Sequence, residues 1–140
     1  MFLTRNMNIS NVLSIPPISF TSSTRELGAW GEDIAESYLS SLGYDIAQRN
    51  WRVRQGELDI IAYSPQRQAI IAVEVKTRRE GGHVPAWCAV DERKLQRLRT
   101  LLMGWLRETD AHSPHIAVDL IAITLHKDGT IDLDHRESLV

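Results

Sequence analysis

Two short alternating stretches carry the ionisable side chains best suited to chemistry. Asp59 interrupts the apolar run Leu58-Asp59-Ile60-Ile61-Ala62, and Glu74 and Lys76 alternate with valines in Val73-Glu74-Val75-Lys76. Aspartate is disfavoured inside an apolar strand, so Asp59 calls for an explanation beyond solvation. Two carboxylates and a lysine are residue types that bind a divalent cation and stabilise charge on a phosphate.

These stretches are predicted to be the two strands of a β-hairpin. Strands from Gly56 to Tyr63 and from Ala69 to Lys76 flank the polar turn Ser64-Pro65-Gln66-Arg67-Gln68. Side chains alternate between the faces of a strand, so the apolar rows of both strands must face one core. The register that satisfies this and centres on the turn pairs Asp59 with Glu74, and Glu57 with Lys76. The apolar rows are Leu58, Ile60 and Ala62 in one strand and Ala69, Ile71, Val73 and Val75 in the other.

A divalent cation bound between two neighbouring carboxylates offsets their mutual repulsion. Mg²⁺ prefers hard oxygen ligands, so we expect Asp59 and Glu74 to bind it, with Mn²⁺ as a substitute. Lys76 would orient an attacking water and offset charge on a phosphate, and Glu32 would act as an outer ligand or position water. The alternatives are an exposed strand ion pair between Glu74 and Lys76 and a solvated glutamate at position 32.

Glu32 is predicted to reach the site from a long amphipathic helix, Thr24 to Leu42. Ser23 and Glu26 have capping-box spacing and Gly43 is placed to end the helix. Glu32 falls at the edge of the apolar arc. Gly28 and Gly31 each lower helix propensity, which suggests a close backbone approach.

The remaining pattern predicts further strands and a second helix. A strand from Asp45 to Val53 precedes the hairpin, and a loop from Gly81 to Val90 follows it, with His83 and Cys88 as loop residues. A second amphipathic helix begins after the candidate N-cap Asp91. A buried strand, His115 to Leu125, and a short strand, Thr130 to Leu133, complete the chain.

Charge is segregated along the sequence although the formal net charge is only −2. From Lys76 to Arg99 there are seven cations against three anions. We expect Arg78, Arg79, Lys94 and Arg97 to contact a nucleic-acid backbone, although a solvated basic helix face would give the same pattern.

Length and composition indicate one domain. The chain has 140 residues, of which 43% are hydrophobic, enough for one core. Residues 1–22 lack a helical or signal-peptide pattern and are expected to be a disordered tail, or to precede the true start of translation; residues 23–140 form the expected domain. The single cysteine, Cys88, excludes an intrachain disulfide and fits the cytoplasm, and no transmembrane span is predicted.

Several ordered motifs together resemble the YraN-like family. They are Gly28-x-x-Gly31-Glu32-x-x-Ala35-x-x-Tyr38-Leu39, Asn50-Trp51, Gly56-Glu57-Leu58-Asp59-Ile60-Ile61-Ala62, Val73-Glu74-Val75-Lys76-Thr77-Arg78 and Ala89-Val90-x-x-x-Lys94. That family is related to Holliday-junction resolvases within the PD-(D/E)xK endonuclease-like superfamily. Leu58 stands where the superfamily name places proline.

The resemblance implies a restriction-endonuclease-like α/β fold, with a mixed central sheet flanked by helices. It places Glu32, Asp59, Glu74 and Lys76 at the superfamily's acidic and lysine positions, and it implies DNA as partner and a possible homodimer. Three hypotheses follow: a Mg²⁺-dependent nuclease acting on structured or branched DNA, a non-catalytic nucleic-acid-binding module with the same fold, and a protein-interaction adaptor.

Overall fold

The computed structural model describes residues 4–9, 15–81 and 90–140. In chain order its elements are β1 (Thr4–Asn8), α1 (Thr24–Ser41), β2 (Asp45–Val53), β3 (Gly56–Ser64), β4 (Ala69–Arg79), α2 (Glu92–Thr109), β5 (His115–Leu125) and β6 (Ile131–Arg136). The order of helices and strands after residue 22 is the predicted one. Of the loop predicted from Gly81 to Val90, only the two end residues are described, so His83 and Cys88 lie outside the description.

The six strands form one mixed sheet in the order β1-β6-β5-β4-β3-β2. Only the β4–β5 pair is parallel among the strand pairs of the described chain; the other neighbours are antiparallel. A parallel pair needs a crossover connection, and α2 lies in that connection. The predicted α/β fold with a mixed central sheet is therefore confirmed, and it is consistent with a restriction-endonuclease-like fold.

Both faces of the sheet are covered, as the apolar patterning of the hairpin predicted. Helix α1 packs on one face with Ile60, Ala62 and Val73. Helix α2 packs on the other with Ile61, Ile70 and Ala72. The central strands are therefore buried on both sides, and charged side chains on them must lie at a sheet end or be paired.

Helix α1 begins and ends where its caps predict. The Ser23 hydroxyl accepts from the Glu26 amide at 3.1 Å and the Glu26 carboxylate accepts from the Ser23 amide at 3.2 Å, which completes the capping box. Gly43 follows the C-cap with φ 89°, a left-handed conformation that glycine adopts without strain. A Cβ at Gly31 would lie 1.8 Å from Thr77 Oγ1, so the expected close approach is real there and brings α1 against β4.

The N-terminal segment differs from the predicted disordered tail. Residues 4–8 form β1, which pairs with β6 at the sheet edge, and the indole of Trp30 donates to the carbonyl of Pro16 at 2.8 Å. The expectation of disorder is wrong for these described residues, because the partners that hold the segment lie far along the chain. Residues 1–3 and 10–14 lie outside the description.

Smaller differences concern strand lengths and one side chain. Strand β4 continues to Arg79, three residues past the predicted end, and β6 extends to Arg136. Leu58 packs in the α2 cluster and not with Ile60, because strand alternation is not maintained through Asp59. Neither described helix has the length and apolar character needed to span a bilayer.

Candidate active site

The site forms where β3 and β4 separate. Their ladder runs from Ser64–Ala69 to Ile60–Val73, which confirms the predicted register. The next pair in that register, Asp59 with Glu74, is absent from the ladder. Instead, Asp59 Oδ2 accepts a hydrogen bond from the Val75 amide at 2.9 Å. The carboxylate thus fills the gap between the two strands and takes the place of a backbone acceptor.

Asp59 and Glu74 line the same cavity at this gap, and burial and the negative charge of Glu74 both raise the pKa of Asp59. The pKa of Asp59 is raised to about 7. Burial is the largest cause, followed by hydrogen bonding with Glu74 and by the negative charge of Glu74. The Val75 amide and the charge of Lys76 act in the opposite direction. Two carboxyl groups this close share a proton or need a cation between them.

Strand β2 brings a second irregularity to the same place. Asn50 has φ 53°, a left-handed conformation that asparagine tolerates better than most residues. The pair of Asn50 with Asp59 is missing from the β2–β3 ladder, which continues on either side at Arg49–Ile60 and Trp51–Leu58. Asp59 is therefore outside the ladder towards both of its neighbouring strands.

Glu32 approaches from α1 and is held by β2. Burial raises its pKa, the charge of Asp59 adds to this effect, and a side-chain hydrogen bond with Asn50 opposes it. Arg49 Nη2 lies 3.6 Å from Glu32 Oε1. The helix thus delivers a third acidic side chain close enough to Asp59 to influence its protonation.

These residues line one cavity of about 340 Å³ between α1, the diverging strands and α2. Its charged lining consists of Glu32, Glu57, Asp59, Glu74, Lys76, Lys94 and Arg97. The four predicted catalytic residues are thus brought together, and α2 contributes two cations to them. Glu57, predicted to pair with Lys76, is instead exposed, and its carboxylate lies 3.1 Å from Arg52 Nε.

The donor set fits a hydrated ion. Within the part of the chain that the structure describes, no group of three or more His, Cys, Asp or Glu side chains is arranged to hold a metal ion. Mg²⁺ is usually bound by one or two carboxylates, with water and substrate phosphate completing the shell. Asp59 and Glu74 match that requirement, and Glu32 fits an outer position.

The basic residues expected at a nucleic-acid backbone divide into two pairs. Lys94 and the exposed Arg97 line the cavity. Arg79 is occupied elsewhere: it donates to the carbonyls of Phe20 and Ser22, and its guanidinium lies 5.9 Å from the Phe20 ring centre. Arg78 is half-buried on β4 and is not among the described residues that line the cavity.

Strand alternation places Arg79 on the α1 face of the sheet but does not by itself exclude it from the site, because Val75 and Thr77 on the same face line the cavity. Arg79 falls on the same face as Val73 and Val75, the α1 side of the sheet, whereas Glu74 and Lys76 face the α2 side. Asn50 was not expected as a site residue. Its only sequence signal is its place in the motif Asn50-Trp51.

Comparison with known proteins supports one family. The model of the uncharacterised protein family UPF0102 matches residues 31–123. The chain is 38% identical over 124 residues to a UPF0102 protein of Mycobacterium sp. (strain JLS), covering 89% of this chain and 91% of that protein. It is also 38% identical over 111 residues to a UPF0102 protein of Pelobacter propionicus, covering 79% of each. The YraN-like resemblance is consistent with these matches, and the chain belongs to the uncharacterised protein family UPF0102.

Proposed function

We propose that this protein is a Mg²⁺-dependent nuclease that hydrolyses phosphodiester bonds of structured or branched DNA. The observation that carries the proposal is that two carboxyl groups, those of Asp59 and Glu74, line one cavity that also holds Lys76 and Lys94. Two partly buried carboxylates in one cavity repel each other and lower the stability of the fold unless positive charge offsets the repulsion. A divalent cation offsets that cost, and a phosphate diester supplies its remaining ligands.

Each charged residue has a role in this proposal. Asp59 and Glu74 hold the ion, which when bound supplies positive charge to the phosphate under attack. Lys76 orients the attacking water and offsets charge that grows on the phosphate. Glu32 positions water at the edge of the site. In the reaction a water oxygen bonds to phosphorus, the bond to one sugar oxygen breaks, and that oxygen takes a proton.

The cavity-lining cations suggest how substrate is held. Lys94 and Arg97 lie on α2 beside the carboxylates. Contacts of this kind neutralise phosphates without reading bases, so we expect binding that weakens with salt similarly across sequences. Cutting both strands of a branched substrate would require two copies of the site.

The test is a cleavage assay on a panel of four-way junctions, flaps, duplexes and single strands. We expect products with Mg²⁺ or Mn²⁺, none with EDTA, and a loss of rate of about 100-fold or more in Asp59→Ala and Lys76→Met. Asp128→Ala is the matched control, since Asp128 is an exposed aspartate in the β5–β6 turn. Salt-sensitive binding without metal-dependent cleavage of any substrate would replace the nuclease by a non-catalytic binding module.

A further inference from the structure

Lys94 forms an ion pair with Glu74, a proposed metal ligand. Its Nζ lies 3.4 Å from Glu74 Oε2. The Glu74 side chain is only 10% exposed and that of Lys94 is 33% exposed. A partly buried ion pair of this kind is less screened than a surface pair, so the ammonium is an important counter-charge for Glu74.

The position of Lys94 on its helix is unusual for a cation. Asp91 caps α2 and accepts from the Lys94 amide at 2.9 Å, which places Lys94 in the first turn. The helix dipole disfavours positive charge at this end. The ion pair with Glu74 offsets that cost, and the flexible lysine stem lets the ammonium move without moving the helix.

A cation bound at Glu74 would repel this ammonium. Lys94 Nζ lies 3.4 Å from Glu74 Oε2, so Mg²⁺ held by the same carboxylate would place a second positive charge beside it. Once displaced, the ammonium would lie in a cavity that also holds the cations Lys76 and Arg97. A substrate phosphate is the anion that the proposed function brings there.

We propose that Lys94 couples metal binding to phosphate binding: it pairs with Glu74 in the metal-free protein and transfers to a substrate phosphate oxygen when a divalent cation occupies Glu74. This inference rests on the proposed function, because it uses the same metal and the same substrate. Lys94 is then a positioning residue for the metal-free site and a binding residue for the substrate. Metal and DNA must each increase the affinity for the other.

The first measurement is Mn²⁺ binding to the substrate-free full-length protein by calorimetry or paramagnetic resonance. We expect Lys94→Met to bind Mn²⁺ about fivefold more tightly than wild type, because the competing ion pair is gone. Arg93→Met is the matched control: Arg93 is exposed, one residue earlier on α2, and not among the described residues that line the cavity. Its affinity should stay within about twofold of wild type. Lys94→Gln should behave as Lys94→Met, and thermal melts check that all variants are folded.

The second measurement compares the affinity for a branched DNA in Ca²⁺ and in EDTA. Ca²⁺ should raise DNA affinity less in Lys94→Met than in wild type or Arg93→Met, since the released ammonium is missing. Unchanged Mn²⁺ affinity in both Lys94 variants, or an undiminished effect of Ca²⁺ on DNA binding, would overturn the inference. Asp59→Ala distinguishes this inference from the proposed function. Loss of Mn²⁺ binding in that variant would support the metal site whatever the Lys94 variants show. Absence of Mn²⁺ binding in wild type would overturn both proposals.

Discussion

At the scale of single residues, Asp59 combines a break in the strand pairing with a raised pKa. It leaves the ladder on both sides, accepts from the Val75 amide and lines the same cavity as Glu74. Burial and Glu74 raise its pKa from 3.8 to about 7. The carboxylate form of Asp59 is therefore disfavoured in the fold, and a cation bound there, as proposed, would offset this cost.

Replacing Asp59 by asparagine should stabilise the metal-free protein in a pH-dependent way. Asparagine still accepts from the Val75 amide but carries no charge. Because the pKa is raised on folding, the destabilising effect of Asp59 is absent below the unfolded value and complete above about 7. Chemical denaturation in EDTA should show a gain of roughly 1–3 kcal/mol at about pH 8 and a much smaller gain at about pH 5.

An exposed aspartate provides the control for this measurement. Asp45→Asn, at the start of β2, should leave the free energy of unfolding within about 0.5 kcal/mol of wild type at both pH values. A gain for Asp59→Asn that is equal at the two pH values would show that Asp59 does not titrate between them.

At the scale of elements, the contact between α1 and β4 decides where Glu32 lies. Gly31 packs on Thr77, the residue after Lys76, and Glu32 follows Gly31 on the helix. The backbone of α1 thereby approaches β4 more closely than any side chain at position 31 would allow. Gly28, one helical turn earlier, lines the cavity, and a Cβ there would meet no described atom within 4 Å.

Alanine at the two glycines should therefore have opposite effects. Gly31→Ala places a methyl group 1.8 Å from Thr77 Oγ1 and should lower the free energy of unfolding by about 1–3 kcal/mol, despite the better helix propensity of alanine. Gly28→Ala should raise it by up to about 1 kcal/mol. Urea unfolding of both variants measures the difference. Equal stabilisation by both substitutions would mean that α1 does not pack on Thr77 this closely.

At the scale of the whole molecule, a buried polar network around Asp119 joins distant segments of the chain. Asp119 of β5 is fully buried and accepts from Arg67 of the hairpin turn at 2.7 and 2.9 Å. His135 of β6 lies 2.7 Å from Asp119 through Nε2 and 2.8 Å from the Tyr38 hydroxyl of α1 through Nδ1. The Ser138 amide also donates to Asp119, at 2.9 Å, so the network links two strands, the β3–β4 turn, α1 and the C-terminal segment.

Removing the charge of Asp119 should destabilise the entire fold. Burial by itself raises the pKa of Asp119, but hydrogen bonds from Arg67 and His135 outweigh it and hold the pKa below its usual value. A lowered pKa contributes stability above the unfolded value that is lost as the pH falls through the folded one. Asp119→Asn should therefore cost about 3 kcal/mol or more at neutral pH, with the difference from wild type shrinking as the pH falls through the lowered pKa of Asp119.

The control is an aspartate that also pairs with a histidine but is more exposed. Asp132 of β6 lies 2.7 Å from His126, with 42% of its side chain exposed. Asp132→Asn should cost less than about 1 kcal/mol. Thermal and denaturant unfolding compare the two variants, and equal losses would contradict a special role for the buried network.

The sequence by itself determined the elements after residue 22, the hairpin register and the convergence of Asp59 with Glu74. These depend on local signals: capping residues, a turn and the two-residue period of strands, which leave one register that buries both apolar rows. Glu32 could be placed at the edge of its helix for the same reason.

Only the tertiary structure decided which distant segments meet. Local periodicity does not encode that Lys94 reaches Glu74, that Asn50 holds Glu32 or that Arg79 binds the segment at Phe20. It also could not show β1 at the sheet edge, since its partner β6 lies at the other end of the chain. Such contacts form when packing closes long loops, so their residues carry no shared pattern in the sequence.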